Sequence, residues 1–432
     1  MNYEQALAYI NDKDKYGSRL GLESVGKLLE NLGNPHKGIN YIHVGGTNGK
    51  GSISAYLASI ILEGGYKVGL YTSPYLEKFT ERIQINGSDI PEDDLGRITE
   101  LVKEAADKMV EEGLEHPTTF EIVTAVAFVY YQEMKVDFVV LEVGLGGRFD
   151  STNIIESSLA SVITTIDYDH IDVLGTTLGE IAYQKAGIIK KNGLVISYPQ
   201  QKESADVLKE VSDEMNAELI KVNVDGIKIN EQTYKGSTFD FSYNGNTLYD
   251  LKIKMLGEYQ VYNAATAITT ILELNERNLI KISKEDIRSG LLKTIWKGRL
   301  EVLMENPIFL IDGAHNLQGI SHLAKAVKLF SYKRLILGIG VLKDKDYTHM
   351  IQTLVPLADV VVVTEVNMPR KLKADLLAAE VYKLNQNVII EPNVEKAVKA
   401  AYDQAQEGDM ILFAGSLYLI GEVRTKANLL FS

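Results

Sequence analysis

Short aliphatic or β-branched runs alternate with longer amphipathic stretches along most of this chain, and no other feature restricts the fold as strongly. Strands separated by helices cannot close as hairpins, so they form a mostly parallel sheet wrapped by helices. The strand-like runs are Tyr41–Val44, Val68–Tyr71, Phe138–Val143, Ser161–Ile166 and Leu194–Ser197; helical spacing falls on Ser52–Glu63, Glu92–Glu111, Phe120–Met134 and Leu178–Ile189. From Asp225 to Leu256 the pattern changes to short alternating segments with an Asn244-Gly245 turn, the mark of antiparallel hairpins. Helices over Tyr259–Leu274 and Lys284–Leu292 follow, and Trp296–Arg299 reads as a hinge. Alternation then resumes with strands Ile308–Ile311, Leu335–Ile339, Val360–Val363, Val388–Ile390 and Met410–Phe413. The expected architecture is α/β. A doubly wound, mostly parallel sheet domain with a small antiparallel subregion spans residues 1–296, and a smaller Rossmann-like α/β domain spans residues 297–432. A length of 432 residues agrees with more than one core.

Composition removes several classes of function. Lys plus Arg number 45 against 58 Asp plus Glu, a formal net charge of -13. Such a chain has no electrostatic footprint for nucleic acid and no polybasic membrane patch, so an anionic ligand has to be captured by a local site. Cysteine is absent, which excludes disulfides, thiol catalysis and cysteine-held zinc. The opening stretch Met1–Gly17 is acidic and helix-like rather than a basic region followed by an apolar one, and no run approaches the roughly 18 apolar residues that span a bilayer. The expectation is a cytoplasmic protein with small-molecule partners.

The richest segment is His43-Val-Gly-Gly-Thr-Asn-Gly-Lys-Gly-Ser52, between a strand and a helix. A glycine-rich turn there gathers backbone amides at a helix N-terminus, where an anion is stabilised by the N–H groups and the helix dipole. Lys50 would reach the outer phosphates and the Ser52 hydroxyl could hold magnesium. The general phosphate-loop pattern is missed by one residue, and Gly51 separates Lys50 from Ser52; a tight turn with a surface lysine is the plain alternative. Glu142 ends the apolar run of Val140-Leu-Glu-Val-Gly-Leu-Gly-Gly-Arg-Phe-Asp150, where open α/β sheets bind ligands. A buried carboxylate needs a partner, either a metal or a neighbour such as Arg148. Two other strands run into Thr72-Ser73-Pro74 and Asp167-Tyr-Asp-His170, although imidazole is a poor magnesium ligand and His170 taken alone reads as a capping or core histidine. Lys185 lies in an apolar helical stretch, either facing the sheet or snorkelling to solvent. In the second half, Asp312 and His315 follow a strand in Ile311-Asp-Gly-Ala-His-Asn316, with an N-cap and turn as the alternative. Asn263 begins a helix face, and Arg299 lies in the hinge, where it could reach a phosphate on closure.

Together these segments resemble the folylpolyglutamate synthases, a branch of the Mur ligase family that includes bifunctional dihydrofolate synthases. The likeness is carried by His43–Ser52, Leu141–Arg148 with Asp150 and Asn153, Asp169-His170, Gln184–Ile188, Gly298–Glu301, Asp312–Asn316 and Gly415–Tyr418, in order along the chain. The resemblance implies ATP and Mg2+ as cofactors, a reduced folate and L-glutamate as substrates, and amide formation through an acyl phosphate. It implies Thr47, Asn48, Gly49, Lys50, Gly51 and Ser52 as the phosphate loop, with Asn263, Arg299, Asp312 and His315 as further nucleotide contacts. Ser52, Ser73, Glu142 and His170 would form the magnesium shell, joined by a carbamylated Lys185, and Lys50, Glu142, His170 and Lys185 would be catalytic. Ser73, Tyr75 and Arg82 would hold folate. Tyr75 and Leu317 depart from the family's usual residues, and Thr118–Glu121 resembles a pteroate-site segment without separating the two activities. A monomer would suffice, since the implied residues lie on one chain. A peptidoglycan amino acid ligase is the alternative within the family, disfavoured because only about forty residues precede the phosphate loop. A nucleotide-driven regulator is the alternative outside it, and has no need of Glu142 and Lys185.

Overall fold

The computed structural model describes residues 1–17 and 21–431. They pack as two compact units. One comprises Met1–Lys228, Asp240–Leu251 and Tyr262–Thr294; the other comprises Ile229–Phe239, Lys252–Val261 and Ile295–Ser432.

The first unit is built on an eight-stranded sheet: β1 (Asn40–Gly45), β2 (Val68–Tyr71), β3 (Ile83–Ile85), β4 (Ser88–Asp89), β5 (Phe138–Glu142), β6 (Ala160–Ile163), β7 (Leu194–Ser197) and β8 (Glu218–Lys221). Their order is β4-β3-β2-β5-β1-β6-β7-β8. Strands β2 to β8 of that row run parallel, and one register line joins Tyr71, Leu141, His43, Ser161 and Val195. Strand β3 is antiparallel to β2 and turns back into β4 through Asn86-Gly87, both at positive φ as a two-residue hairpin turn requires. The chain places β2 and β5 on one side of β1 and β6 to β8 on the other. The carboxyl end of β1 is therefore a topological switch point, where open α/β sheets bind ligands.

Both faces of this sheet are covered, which is why its strands read as continuous apolar runs. On one face, residues of Glu92–Glu111 and Thr119–Glu133 pack with Leu141, Val139 and Tyr71, backed by the helices Tyr3–Asp12 and Glu23–Asn31. A second cluster joins Ile163 and Val195 to the helices Leu178–Ala186 and Lys202–Glu214. The helix after β1, Lys50–Glu63, is buried along most of its length and meets the helix Lys284–Lys293, where a Cβ on Gly290 would lie 2.5 Å from Ile60 Cα. Burying this many aliphatic side chains, at about 1.5–3 kcal/mol each, is what offsets the entropy of ordering the chain.

A three-stranded sheet follows, β9 (Ile227–Thr233), β10 (Gly236–Tyr243) and β11 (Asn246–Ile253), in the order β11-β10-β9. Asn244 and Gly245 make the expected turn, both at positive φ. The second unit holds a six-stranded sheet of β12 (Glu301–Glu305), β13 (Ile308–Asp312), β14 (Leu335–Ile339), β15 (Val360–Val363), β16 (Val388–Ile390) and β17 (Met410–Ala414), ordered β12-β13-β17-β14-β15-β16. Only β12 is antiparallel to its neighbour. Leu310, Leu337, Val361 and Leu412 form its core with the helices Leu317–Ala326, Tyr347–Leu354 and Ala374–Val381.

The expected α/β architecture is present, with its small hairpin sheet. Differences lie at element ends and edges. Strand β6 stops at Ile163, not Ile166, because the next residues bond to the loop after β1 and to Gln200 instead of to a neighbouring strand. The helix at Leu178 stops at Ala186, where Gly187 passes so close to Arg148 that a Cβ there would lie 2.4 Å from its Cα. The strands β3, β4, β8 and β12 are short and interrupted or bounded by polar residues, and are not read from sequence.

Candidate functional site

The segment Gly46–Gly49 links β1 to the helix Lys50–Glu63, and each of its glycines has a local reason. Gly46, at φ 147°, leaves no room for a side chain: its Cβ would sit 1.8 Å from Thr164 Oγ1. Gly49 caps the helix at φ 90°, and a Cβ there would come within 2.9 Å of Asn263 Oδ1. The loop is also tied to the residues after β6. Thr47 N–H donates to Thr165 O at 2.6 Å, and Asn48 pairs with Thr165 as an isolated bridge. Thr47 Oγ1 donates to Asp167 O and accepts from Asp167 N–H, both at 3.0 Å. These bonds turn the opposite end of the loop, Gly49–Ser52, into the first helical turn, whose amides a helix leaves without intrahelical partners. An anion is favoured there by those amides and by the dipole.

Two lysines meet this loop. Lys50 Nζ donates to Gly46 O (3.1 Å) and Thr47 O (3.2 Å), and Lys185 Nζ donates to Gly46 O at 2.8 Å. Lys185 is buried, so it faces the sheet and does not snorkel. Burial, followed by the nearby Lys50 charge, holds its amine down at about 7, while Asp169 acts in the opposite sense. Ser52, in the first helical turn, and Glu142, at the end of β5 and in register with Val44, are also buried. The Arg148 guanidinium lies 4.0 Å from the Tyr183 ring centre, and its Nη2 donates to Tyr183 O at 3.5 Å. Asn263 stands against Gly49 from the helix Glu258–Glu276. The structure thus gathers Thr47, Asn48, Gly49, Lys50, Gly51, Ser52, Lys185 and Asn263 around one loop, with Glu142 one strand away.

His170 differs from this buried set. Its side chain is 44% exposed, its backbone is left-handed at the start of a short helix, and Nε2 lies 3.9 Å from Asp169 Oδ1. Ser73 follows β2, next to β5, and is half-buried. The loop after it is shaped by Glu81, whose carboxylate accepts from the N–H groups of Leu76, Glu77 and Lys78. There the Arg82 guanidinium lies 5.2 Å from the Tyr75 ring centre and 5.4 Å from that of Phe79, a cation–π arrangement that fixes its direction. Thr118 and Glu121 form the capping box of the helix Thr119–Glu133.

The glycine turn after β5 rests on a buried chain of polar groups. Asp150 Oδ2 accepts from Leu145 N–H at 2.8 Å, its Oδ1 accepts from Thr152 Oγ1, and Thr152 Oγ1 lies 2.9 Å from His43 Nε2. Burial raises the Asp150 carboxyl and pushes the His43 imidazole well below its usual range. Lys190 Nζ donates to Asn153 Oδ1 at 2.8 Å, and burial holds its amine at about 8. The roles of Thr165, Gln200 and Lys190 are not visible in the sequence. No local pattern distinguishes them; their roles arise from residues more than a hundred positions away or across a strand end.

In the second unit, Asp312 ends β13 and is buried. Its Oδ2 accepts from Leu300 N–H and its Oδ1 from Ala314 N–H, both at 2.8 Å, so the carboxylate fastens its own turn to the segment carrying Arg299. Burial raises its carboxyl, against the opposing pull of Arg299. Gly313 packs on Arg299, whose Nη1 would lie 2.4 Å from a Cβ there. His315 Nδ1 is 2.8 Å from Gly313 O, which orients the ring, and Asn316 caps the following helix.

A glycine-rich loop thus lies at the switch point of a parallel sheet with buried Lys185 and Glu142 beside it, in a chain that also has a second α/β unit. The chain matches the Mur ligase middle domain over residues 44–271 and the glutamate ligase domain of Mur ligases over residues 298–417. It is 36% identical over 429 residues to a dihydrofolate synthase/folylpolyglutamate synthase of Bacillus subtilis, covering 98% of this chain and 99% of that one. Among solved structures it resembles folylpolyglutamate synthase from Thermotoga maritima (TM-score 0.86, 33% identity, covering 98% and 96% of the two chains). It also resembles that of Mycobacterium tuberculosis in complexes with ADP and AMPPCP (TM-score 0.89, 27% identity, 98% of both chains). The chain belongs to the Mur ligase family, in its folylpolyglutamate synthase and dihydrofolate synthase branch.

Proposed function

We propose that the protein is an ATP-dependent ligase that joins the amine of L-glutamate to the γ-carboxylate of a reduced folate. The observation that carries this reading is the match to the Bacillus subtilis relative, which runs through both units and covers 98% of this chain and 99% of that one. In the proposed sequence, a γ-carboxylate oxygen attacks the terminal phosphorus of ATP, ADP leaves, and an acyl phosphate forms. The glutamate amine then attacks the acyl carbon, loses a proton, and phosphate leaves.

The residues divide this work by position. Gly49–Ser52 bind phosphate oxygens through first-turn amides, and Lys50 follows the charge that moves onto ADP. Thr47, Asn48 and Asn263 hold the loop in shape, while Arg299, Asp312 and His315 serve the nucleotide from the second unit. Ser73, Tyr75 and Arg82 orient the folate, with the Arg82 guanidinium directed at a carboxylate.

Magnesium is proposed at Ser52 and Glu142, with Ser73, His170 and Lys185 completing the set. Among the described residues no three His, Asp or Glu side chains gather to hold a metal. One buried carboxylate with hydroxyl oxygens still fits an ion that keeps most of its waters and takes phosphate oxygens as ligands. When bound, the ion neutralises charge on the phosphates. A Lys185 amine held at about 7 is substantially neutral at physiological pH, the form that adds carbon dioxide to become a carbamate. We further propose a cytoplasmic monomer; among the described residues no helix is long and apolar enough to cross a membrane.

The test is ADP release by the purified protein with ATP, Mg2+ and L-glutamate, comparing 5,10-methylenetetrahydrofolate, dihydropteroate and no acceptor. Turnover with the folate alone indicates a dedicated polyglutamylating ligase, and turnover with both acceptors a bifunctional one. Turnover with neither overturns the reading.

A further inference from the structure

The residues that follow β6 do not continue the sheet; they form a small platform. Gln200 grips this platform from one side, donating from Nε2 to Thr164 O at 2.7 Å and accepting at Oε1 from Ile166 N–H at 3.0 Å, as a neighbouring strand would. On the other side the platform carries the glycine-rich loop. Thr164 N–H donates to Gly45 O, and the buried Thr164 Oγ1, which has no hydrogen-bond partner, occupies the space beside Gly46. Thr165 makes the most extensive contact. Its carbonyl accepts from Thr47 N–H at 2.6 Å, while its Oγ1 donates to Asn48 O at 3.1 Å and accepts from Asn48 N–H at 3.3 Å. The Thr47 and Asn48 amides are thereby committed to protein partners.

We infer that Thr165 is a positioning residue for nucleotide binding. Its hydroxyl fixes the peptide planes on either side of Asn48, and this sets the direction in which Gly49 and the first helical turn present their amides. The inference rests on the proposed nucleotide site but concerns only the loop's shape, not the acceptor. A single β-branched hydroxyl residue serves both bonds, since one hydroxyl donates once and accepts at its lone pairs.

The substitutions Thr165→Val and Thr165→Ser separate hydroxyl from shape. Thr165 is only half-buried, so valine there leaves the core intact. Calorimetric titration with ADP reads the effect directly. Wild type and Thr165→Ser are expected to bind alike, and Thr165→Val about tenfold more weakly, as for losing two modest hydrogen bonds. The KM for ATP should rise by a similar factor while the KM for glutamate stays within twofold, with the melting temperature of the ligand-free protein lowered by no more than about 5 °C. Equal ADP binding by wild type and Thr165→Val overturns the inference, as does a Thr165→Ser protein as weak as Thr165→Val, or a parallel loss of glutamate affinity. Absence of folate-dependent turnover in a wild type that binds ADP counts against the proposed function and leaves the ADP comparison decisive for Thr165.

Discussion

Lys50 and Lys185 converge on one acceptor: both Nζ atoms donate to the carbonyl oxygen of Gly46, from 3.1 and 2.8 Å. One lysine comes from the first turn after the loop and the other from a helix more than a hundred residues later. Like charges this close raise each other's electrostatic energy, and the buried partner yields its proton more readily.

Lys185 makes stability depend on pH in a stated direction. Its folded amine is held at about 7, against 10.5 for an unperturbed lysine, so between those values the unfolded chain binds the extra proton and stability rises with pH. Below pH 7 the whole penalty is present. Lys185→Met is expected to stabilise the nucleotide-free protein at pH 7, by at most about 4 kcal/mol, and by no more than about 1 kcal/mol near pH 10. Urea unfolding at both pH values in carbonate-free buffer checks this; equal gains at both would refute it.

Removing the other lysine acts on ligand rather than on fold. Lys50→Ala is expected to weaken ADP binding on the order of 10- to 100-fold, as for a lost charge-assisted contact to phosphate. The melting temperature of the free protein should stay within about two degrees. Fluorescence titration with a labelled nucleotide and a thermal melt give the two numbers.

At Gly46 the two effects are joined. Gly46→Ala places a methyl group 1.8 Å from Thr164 Oγ1 at a φ of 147°, so the loop has to move. Loss of about 2–4 kcal/mol of stability is expected, together with loss of measurable ADP binding. A variant that melts lower but still binds ADP normally would show that the loop tolerates the shift.

Asp312 tests a structural bond in the second unit. Asp312→Ala leaves the Leu300 and Ala314 amides without acceptors, for about 1–3 kcal/mol each. Denaturant unfolding should show that loss even with no nucleotide present, and an unchanged midpoint would mean that water replaces the carboxylate.

The order of strands and helices was legible because both faces of the sheets are buried, and continuous apolar runs such as Phe138–Glu142 and Val360–Val363 follow from that directly. Of the edge strands, Val388–Ile390 was legible and others were not. Glu218–Lys221 and Glu301–Glu305 begin or end on charged residues, as edges do, and look like loop. The glycine-rich loop announced itself through its glycines at a strand-to-helix junction, whereas the capping box that Thr118 and Glu121 form was not anticipated. Lys185 facing the sheet and Glu142 at a strand end also read correctly in position. What sequence could not carry was the platform beneath the loop. Thr165 and Gln200 have ordinary side chains whose bonds exist only once β6 lies beside β1, and His170 gave no sign that its ring would stand in solvent.

The loop's dependence on Thr165 and Asn263 also bears on biosynthesis. The loop proposed to bind phosphate is fully translated by Ser52, yet the partner strands of β1 lie at Phe138–Glu142 and Ala160–Ile163, and the side chain that abuts Gly49 arrives with Asn263. Loop closure over such separations is slow, and long-range parallel pairing is late to form. A nascent chain therefore exposes its most characteristic motif long before that motif can hold a nucleotide, and ribosome-bound intermediates truncated ahead of Thr165 should fail to bind ATP even though every residue of the loop has already been made.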